Sequence, residues 1–455
     1  MKLQEYFEKL RDKRVLVLGL GVSNRPLVRL LLRYGIETVG CDKTPREALD
    51  DEVLELERAG LSLHLGEGYL TGIAGDVAFR TPGLHPLKPE LCALRAAGTE
   101  ITSEMEAFFE VCPCKIIGVT GSDGKTTTAT LIAEMLRHAG RKVWLGGNIG
   151  TPLLDRADEM EPTDSVVLEL SSFQLMDLRR SCHIAVVTNL APNHLDIHRS
   201  MEEYIAAKKN IFLHQGADDT LILNADNALT AGFAPEAAGA VCFFSRQTGQ
   251  PNGAWFDGET VYLDGRPLLK REKILLPGVH NVENYMAAIL AVRGLVSDGD
   301  IRAVAAQFGG VEHRIELVRE RNGVRFYNDS IASSPSRTIA GLRSFDQKVI
   351  LIAGGYDKHL SYAPLGDEIP SHVRLLICTG ATAQKIADAT RQASDYREGH
   401  PKILMIDDFY AAIHAAADAA QPGDVVLLSP AAAAFDKFKN FMVRGREFKK
   451  TVMAL

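Results

Sequence analysis

Short apolar runs rich in valine, isoleucine and leucine alternate with segments of helical periodicity along the whole chain. In that pattern each helix connects parallel strands and packs on a face of their sheet. The sequence therefore predicts an α/β fold with mostly parallel sheets, and its motifs separate three domains, 1–103, 104–310 and 311–455. The predicted strands are Arg14–Leu18, Thr38–Cys41, Lys115–Val119, Ser165–Leu170, Ile184–Thr188, Thr220–Leu223, Arg325–Tyr327, Val349–Ala353, Leu375–Cys378 and Val425–Leu428.

Composition narrows the class of protein. The chain has 455 residues, 46% hydrophobic and 24% charged, which is ordinary for a globular protein and argues against long disorder. Its net charge of −7 disfavours nucleic acid as a partner, since general nucleic-acid binders are usually basic. It has no apolar run long enough to cross a membrane and no signal-peptide core. Its seven cysteines show no disulfide spacing, so we expect reduced thiols and a cytoplasmic location.

A glycine turn, GLGVSN (Gly19–Asn24), follows the first predicted strand and precedes a helix (Pro26–Tyr34). Backbone amides at such a turn can hold a phosphate, and Asp42, at the end of the next strand, can accept a ribose hydroxyl. The third glycine of the dinucleotide fingerprint is missing, because Asn24 stands there. The first domain is therefore Rossmann-like, and a nicotinamide cofactor, a sugar nucleotide and a purely structural turn all remain open for it.

The clearest motif is GVTGSDGKTTT (Gly118–Thr128), between a predicted strand and a predicted helix (Thr127–His138). Glycines let backbone amides point at phosphate oxygens, Lys125 supplies a charge for the terminal phosphates, and the hydroxyl of Thr126 suits magnesium. The spacing is tighter than that of the standard phosphate loop, because Val119 stands where its first glycine is expected. The motif predicts ATP binding in a central P-loop-type mononucleotide-binding domain.

GVTGSDGKTTT also resembles the ATP loop of the Mur ligase family, whose members add amino acids to a cell-wall precursor. The short first domain, ELSSFQL and the C-terminal SPA…FDKFKNF…RG resemble the D-glutamate-adding members, and the D-N-P-R-like signature of diaminopimelate-adding relatives is not found. The further motifs that match the family in order are GGNIG (Gly146–Gly150), LELSSFQL (Leu168–Leu175), TNLAPNHLDIH (Thr188–His198), YIAAKKNIF (Tyr204–Phe212), LPGVHNVENYMAA (Leu276–Ala288), EHRIE (Glu312–Glu316), YNDS (Tyr327–Ser330) and SPAAAAFDKFKNFMVRGREF (Ser429–Phe448).

The resemblance implies a reaction and its participants. It implies ATP-dependent ligation of D-glutamate to UDP-N-acetylmuramoyl-L-alanine through an acyl phosphate, with two Mg²⁺ ions, in a monomeric enzyme that closes to exclude water. It further implies a Rossmann-like third domain that binds the amino acid. The catalytic residues that it implies are Lys125, Glu169, His194, Lys208 and Arg314, with Thr126, Glu169, His194 and Lys208 at the metal ions.

Lys208 is expected to be carbamylated, because the resemblance places the modified lysine after the paired alanines of YIAAKK. Carbamylation needs a neutral amine and so a depressed pKa. Helical register does not separate Lys208 from Lys209, and without the resemblance both would be read as a solvated face.

The remaining site residues follow from the same motifs, and each also has a structural reading as a cap, turn or surface residue. Those expected at ATP are Gly121, Ser122, Asp123, Gly124, Lys125, Thr126, Thr127, Asn281, Asn284, Arg314 and Asp329. Those expected at the sugar nucleotide are Gly19, Gly21, Val22, Ser23, Asp42, Thr81, Pro82, Gly83 and Asn148. Those expected at D-glutamate are Ser333, Lys358, Ala434 and Phe441.

The chain departs from the family pattern in two places. Ile331 stands where many relatives have a lysine, and Ala432 and Ala434 stand where many have a cysteine and a serine. The second change removes a hydroxyl expected near the incoming glutamate.

Three rival functions remain. The first is another amide ligase of the superfamily, such as a folylpolyglutamate synthase, although about a hundred residues precede the ATP loop here. The second is a nicotinamide oxidoreductase that uses Gly19–Asp42, which leaves the phosphate loop unexplained. The third is a catalytically silent homologue, and the intact Lys125, Glu169, His194 and Lys208 count against it.

Overall fold

The structure, a computed structural model, describes residues 1–192 and 197–455. The described residues form three sheets with helices between their strands, which confirms the predicted α/β class. Packing divides the chain into two compact units. Unit 1 comprises residues 1–271 and 283–304, and unit 2 comprises residues 272–282 and 305–455. The division into three domains with the boundaries given above stays a prediction.

The first sheet of unit 1 is parallel, in the order β3-β2-β1-β4-β5. All four residues of its central strand are buried, as are Leu27, Val28, Leu30 and Leu31 of the helix that follows. The apolar sequence of the strand and the one-sided pattern of the helix explain this packing. The strands are β1 (Val15–Leu18), β2 (Thr38–Asp42), β3 (Ser62–Leu65), β4 (Val77–Arg80) and β5 (Glu100–Thr102).

The second sheet of unit 1 has nine strands in the order β14-β13-β12-β11-β10-β9-β6-β8-β7. In this order, all neighbouring strands between β12 and β7 pair in parallel. The strands β12, β13 and β14 pair antiparallel and extend one edge of the sheet. This extension was not predicted; in it Trp255 stacks on Tyr262 with ring centroids 4.5 Å apart. The strands are β6 (Ile116–Thr120), β7 (Val143–Gly147), β8 (Ser165–Glu169), β9 (Ile184–Val187), β10 (Thr220–Asn224), β11 (Ala240–Ser245), β12 (Ala254–Phe256), β13 (Thr260–Leu263) and β14 (Arg266–Lys270).

Unit 2 contains a six-stranded sheet in the order β15-β16-β20-β17-β18-β19. Only β15 runs antiparallel to its neighbour, so the carboxyl ends of the other five strands share one edge. Ligands of open α/β sheets bind at such an edge. The strands are β15 (Glu316–Arg321), β16 (Val324–Asn328), β17 (Val349–Ala353), β18 (Val373–Cys378), β19 (Lys402–Met405) and β20 (Val425–Leu428).

The described residues also form sixteen α-helices, of which the first precedes β1 and the last follows β20. Each predicted strand is present and agrees with the structure to within two residues at both ends. Among the helices of the described ranges, none is both long enough and apolar enough to cross a membrane. The helices are α1 (Leu3–Glu8), α2 (Arg25–Arg33), α3 (Asp51–Arg58), α4 (Pro89–Ala96), α5 (Glu104–Val111), α6 (Lys125–His138), α7 (Ser172–Leu175), α8 (Met201–Lys209), α9 (Ala228–Ala231), α10 (His280–Ala291), α11 (Asp298–Gln307), α12 (Pro335–Leu342), α13 (Ala363–His372), α14 (Ala383–Gln392), α15 (Phe409–Ala419) and α16 (Phe441–Ala454).

Candidate active site

The phosphate loop lies between β6 and α6, as predicted, and Gly124 caps the helix with a φ of 77°. A Cβ at Gly124 would collide with the side-chain oxygen of Asn284, so both the backbone conformation and the close approach require glycine. The Nζ of Lys125 donates to the carbonyl oxygens of Gly121 at 2.9 Å and Ser122 at 2.8 Å. The lysine therefore lies over its own loop, and Asn284, expected at ATP, contacts that loop.

Lys208 is buried beneath the same loop. It is 1% exposed, and its Nζ donates to the carbonyl oxygen of Gly121 at 2.8 Å and the hydroxyl of Thr120 at 3.1 Å. Burial, and then the positive charge of Lys125, hold the pKa of the Lys208 amine well below its usual value. Lys209 instead forms an ion pair with Glu236 at 2.5 Å. The two neighbouring lysines thus have different environments, and Lys208 is the one that contacts the phosphate loop.

Glu169 ends β8, the strand beside the phosphate-loop strand, and is 2% exposed. Its Oε1 accepts a hydrogen bond from the side-chain amide of Asn148 at 2.8 Å. The neighbouring Gly147 has a φ of 93°, and a Cβ there would collide with the carbonyl oxygen of Glu169. The GGNIG turn therefore packs directly on the end of this strand and orients the carboxylate.

The side chains of Glu169 and Thr126 fit a divalent cation. Within the described residues, Oε2 of Glu169 has no hydrogen-bond partner although it is buried, which is costly for a carboxylate unless a cation is close. Thr126, half-buried in the first turn of α6, offers a hydroxyl. No cluster of three or more histidine, cysteine or acidic side chains suited to a metal occurs in the part of the chain that is described. His194, the fourth predicted ligand, lies outside the described residues.

A cavity of about 340 Å³ opens in unit 1 beside these elements. It brings together segments that are far apart in the sequence: the first glycine turn, the loop after β4, the start of α5 and the GGNIG turn. Six of the nine residues predicted for the sugar nucleotide line it. They are Val22, Ser23, Thr81, Pro82, Gly83 and Asn148.

Two further residues of the cavity wall, Asn24 and Arg80, were not predicted as site residues. Asn24, which replaces the third glycine of the fingerprint, is 1% exposed, and its amide donates to the carbonyl oxygen of Gly19 at 2.8 Å. Arg80 is also 1% exposed; it donates to carbonyl oxygens of Thr81 and Leu84 and forms an ion pair with Asp177. A charged residue at the end of an apolar strand was the available signal for Arg80.

A third unpredicted residue of the wall is Glu104, at the start of α5. Burial raises the pKa of its carboxyl group to about 7; a hydrogen bond from the main chain of Leu154 opposes the shift, and the charge of Asp155 adds to it. No sequence motif marked this position.

Asp42, at the end of β2, contacts the main chain of the first glycine turn. Its carboxylate accepts hydrogen bonds from the main-chain N–H groups of Leu20 at 2.7 Å and Thr44 at 2.9 Å. Although burial acts to raise it, these bonds lower the pKa of Asp42. The carboxylate therefore braces the first glycine turn, and its contact with a ribose stays a prediction.

In unit 2, the residues expected at ATP occupy buried or half-buried positions. Asn281 donates to the carbonyl oxygen of Pro277 at 2.6 Å. Asp329 is 4% exposed and accepts from the hydroxyl of Ser429 at 2.7 Å, and burial raises its pKa to about 7. Arg314 is half-buried, and its Nε is without a hydrogen-bond partner in the described parts of the chain.

The residues expected at D-glutamate lie at the carboxyl edge of the unit 2 sheet. Ser333 follows β16, Lys358 follows β17, and Ala434 follows β20, the strand between those two. Lys358 is exposed, whereas Ala434 is 1% exposed. Phe441 begins α16 and contacts the ring of His313 edge-on, with centroids 6.0 Å apart.

Family profiles cover most of the chain. The Mur ligase middle domain matches residues 119–292, and the glutamate ligase domain of Mur ligases matches residues 313–432. Solved structures of low sequence identity share the fold. A UDP-N-acetylmuramate–alanine ligase from Thermotoga maritima matches with a TM-score of 0.59 and 16% identity, over 97% of this chain and 99% of that one. A MurF ligase from the same organism matches with a TM-score of 0.55 and 19% identity, over 98% and 97%.

Curated relatives match from end to end. The UDP-N-acetylmuramoylalanine–D-glutamate ligase of Acetivibrio thermocellus is 51% identical over 462 aligned positions, which cover 100% of this chain and 99% of the relative. The enzyme of the same name from Clostridium botulinum strain Alaska E43 is 48% identical over the full length of both chains. The chain therefore belongs to the Mur ligase family.

Proposed function

We propose that the chain joins D-glutamate to UDP-N-acetylmuramoyl-L-alanine, with cleavage of ATP to ADP and phosphate, in the synthesis of a peptidoglycan precursor. One observation carries the proposal: relatives that match the whole chain at about half of its positions bear the name of this reaction. The phosphate loop, the buried carboxylate beside it and the nearby cavity supply the elements that such a ligase needs.

The reaction has two steps. A carboxylate oxygen of the L-alanyl group attacks the γ-phosphorus of ATP, ADP leaves, and an acyl phosphate forms. The amine of D-glutamate then attacks the carbonyl carbon, the bond from carbon to the phosphate oxygen breaks, and the amine loses a proton. The barrier falls when positive groups face the charge that develops on the transferred phosphoryl group. We assign this task to Lys125 and Arg314.

Magnesium, bound beside Glu169, would offset the negative charge of the ATP phosphates. The residues proposed to hold it are Thr126, Glu169 and, in the segment outside the described residues, His194. We further propose that Lys208 carries a carbamate. Its burial beneath the loop and its lowered pKa favour the neutral amine that reacts with CO₂, and a carbamate would add the anionic oxygens that the cluster lacks.

The sugar nucleotide is assigned to the 340 Å³ cavity and the glycine turn beside it. Amides at the start of α2 suit the diphosphate, while Asn148, which contacts Glu169, borders both the cavity and the proposed metal cluster. This arrangement would place the far end of the sugar nucleotide next to the reacting phosphate.

D-glutamate is assigned to the loops after β16, β17 and β20. Lys358 offers an exposed ammonium group for a carboxylate, Ser333 offers a hydroxyl, and Phe441 forms an apolar wall. Because Ala434 has no hydroxyl, main-chain amides near it must take over that contact. A monomeric state and a cytoplasmic location stay predictions from the sequence.

The test is phosphate release with ATP, Mg²⁺ and UDP-N-acetylmuramoyl-L-alanine against a panel of acceptors. We expect release to depend on D-glutamate and to be small with L-lysine, diaminopimelate or L-alanine. Preference for another acceptor would contradict the assignment within the family. Binding of NADH, followed by its fluorescence, would support the oxidoreductase alternative instead.

A further inference from the structure

A buried arginine links the loops assigned to the amino-acid acceptor. Arg444, in the first turn of α16, is 3% exposed and forms no ion pair with any residue that the structure describes. Its guanidinium instead makes four hydrogen bonds, of which three go to main-chain carbonyl oxygens. A buried cation bonded mainly to neutral groups is costly, so its place needs an explanation.

The four hydrogen bonds join two adjacent loops. Nε donates to the hydroxyl of Ser330 at 3.0 Å, and one Nη donates to the carbonyl oxygen of the same residue at 2.9 Å. The carbonyl oxygens of Ala432 and Ala433 each accept from the guanidinium at 3.1 Å. Ser330 follows β16, and Ala432 and Ala433 follow β20, its neighbour in the sheet.

A third loop is joined to the same network. The main-chain N–H of Tyr356, after β17, donates to the carbonyl oxygen of Ala433 at 2.9 Å. That oxygen therefore accepts hydrogen bonds from both the loop after β17 and Arg444. The hydroxyl of Ser330 also donates to the carbonyl oxygen of Phe441 at 2.8 Å, which ties in the start of α16. One guanidinium thus connects all four segments that carry the proposed glutamate residues.

The positive charge of Arg444 also suits a site for an anionic acceptor. Burial lowers the pKa of Arg444 to about 10, so the group remains a cation at neutral pH, and Asp436 and Asp329 act against this shift from nearby. D-glutamate carries two carboxylates and one ammonium group, and a protein of net charge −7 repels such an anion weakly at long range. A buried positive charge under the loops offsets that repulsion where the acceptor binds.

We propose that Arg444 is a positioning residue for the acceptor amino acid: it holds loops 330–334, 355–360 and 431–434 in register and gives them a positive potential. The inference rests on the proposed function, because it takes these loops as the D-glutamate site. Replacing a residue that only stabilised unit 2 would change the Michaelis constants of all substrates alike. Replacing a residue in this role would change mainly the KM for D-glutamate.

The experiment compares Arg444→Gln, Arg444→Lys and a matched control, Arg446→Gln, which removes an exposed arginine two residues further along α16. Michaelis constants for the three substrates are measured by phosphate release. We expect Arg444→Gln to raise KM for D-glutamate by about twentyfold or more, and KM for ATP and the sugar nucleotide by less than about twofold. Arg444→Lys keeps the charge and should recover part of the loss, and Arg446→Gln should match the wild type.

Three results would overturn the inference. They are equal changes in all three Michaelis constants, an unchanged KM for D-glutamate in Arg444→Gln, and a loss in Arg446→Gln as large as in Arg444→Gln. If Arg444→Gln does not fold, Ser330→Ala decides, since it removes one of the four hydrogen bonds. We expect it to raise KM for D-glutamate by about threefold, and no change would count against the inference.

Failure of this inference and failure of the proposed function give different results. If the wild-type enzyme does not use D-glutamate, the proposed function is wrong. If the wild type uses it and the Arg444 variants keep their selectivity and KM, only the role of Arg444 is wrong.

Discussion

Replacing Glu169 by glutamine separates a carboxylate that serves the reaction from one that serves the fold. The side chain is 2% exposed, and its Oε1 accepts from Asn148, while Oε2 has no hydrogen-bond partner within residues 1–192 and 197–455. Glutamine has the same shape and can keep the bond to Asn148. The substitution therefore removes the negative charge and little else.

The expected stability change follows from these contacts. If Glu169 were half of a structural ion pair, breaking it would cost about 3–5 kcal/mol. The hydrogen-bond partner of its Oε1 is instead a neutral amide, and Lys208, the buried amine beside it, has a pKa well below its usual value, which favours the uncharged form. We therefore expect the free energy of unfolding without nucleotide to stay within about 1 kcal/mol of the wild type.

Activity should respond very differently. If the carboxylate holds magnesium at the phosphates, its loss should lower kcat at least about 100-fold, which is about 2.7 kcal/mol of transition-state stabilisation. Phosphate release at several Mg²⁺ concentrations and urea unfolding of the nucleotide-free enzyme measure the two quantities, with the exposed Glu67→Gln as control. Unfolding weakened by more than about 3 kcal/mol, with kcat within threefold of the wild type, would refute the reasoning.

Three further predictions concern lysines. Lys125→Ala should lower kcat by about 100-fold or more in the phosphate-release assay, because it removes the charge from the phosphate loop, and near-normal release would contradict the ATP site. Lys208→Ala should be almost inactive and partly rescued by a short-chain carboxylate. Lys209→Ala, which loses the ion pair with Glu236 and the contact with the ring of Phe233, should stay active; the reverse result would shift the assignment by one residue. Lys358→Ala should raise KM for D-glutamate at least about tenfold, about 1.4 kcal/mol, with little change in KM for ATP, and equal losses for both would count against it.

Features set by residues that are close together in the sequence could be predicted. A strand, a glycine-rich turn and a helix follow one another within Gly118–His138, so the phosphate loop could be drawn before any tertiary contact was known. The strand ends that carry Asp42 and Glu169 were likewise predictable from apolar runs that end beside a carboxylate. These features depend on neighbours in the sequence.

Features set by contacts between distant segments of the chain could not be predicted. Lys208 and Lys209 are adjacent on one helix, and only packing against the phosphate loop buries the first of them. Arg80 ends β4 and Asn24 caps α2, yet both line the same cavity, and no sequence motif connects the two. The antiparallel edge of the second sheet was missed, because short alternating runs within 254–270 carry weak periodicity.

Glu104 offers a test of this tertiary environment through the dependence of stability on pH. Burial raises the pKa of its carboxyl group in the folded protein to about 7, against a usual value of 4.5. Below about pH 4.5 the group is protonated in both the folded and the unfolded chain, so it adds no pH dependence there. As the pH rises towards 7 the unfolded chain loses this proton first, so the folded state loses stability, and above pH 7 the loss is constant.

Glu104→Gln removes this titration and can keep the hydrogen bond from the main chain of Leu154, so the variant should gain stability relative to the wild type as the pH rises. A difference of 2.5 between the two pKa values corresponds to at most about 3 kcal/mol. We expect most of that gain in urea unfolding at about pH 8 and little of it at about pH 5, without substrates, since Glu104 lines the cavity. The exposed Glu100→Gln serves as the control. A difference between Glu104→Gln and the wild type that stays constant across this range would show that the carboxyl group ionises in the folded protein as it does in water, and that the cavity wall at the start of α5 is wetter than the structure shows.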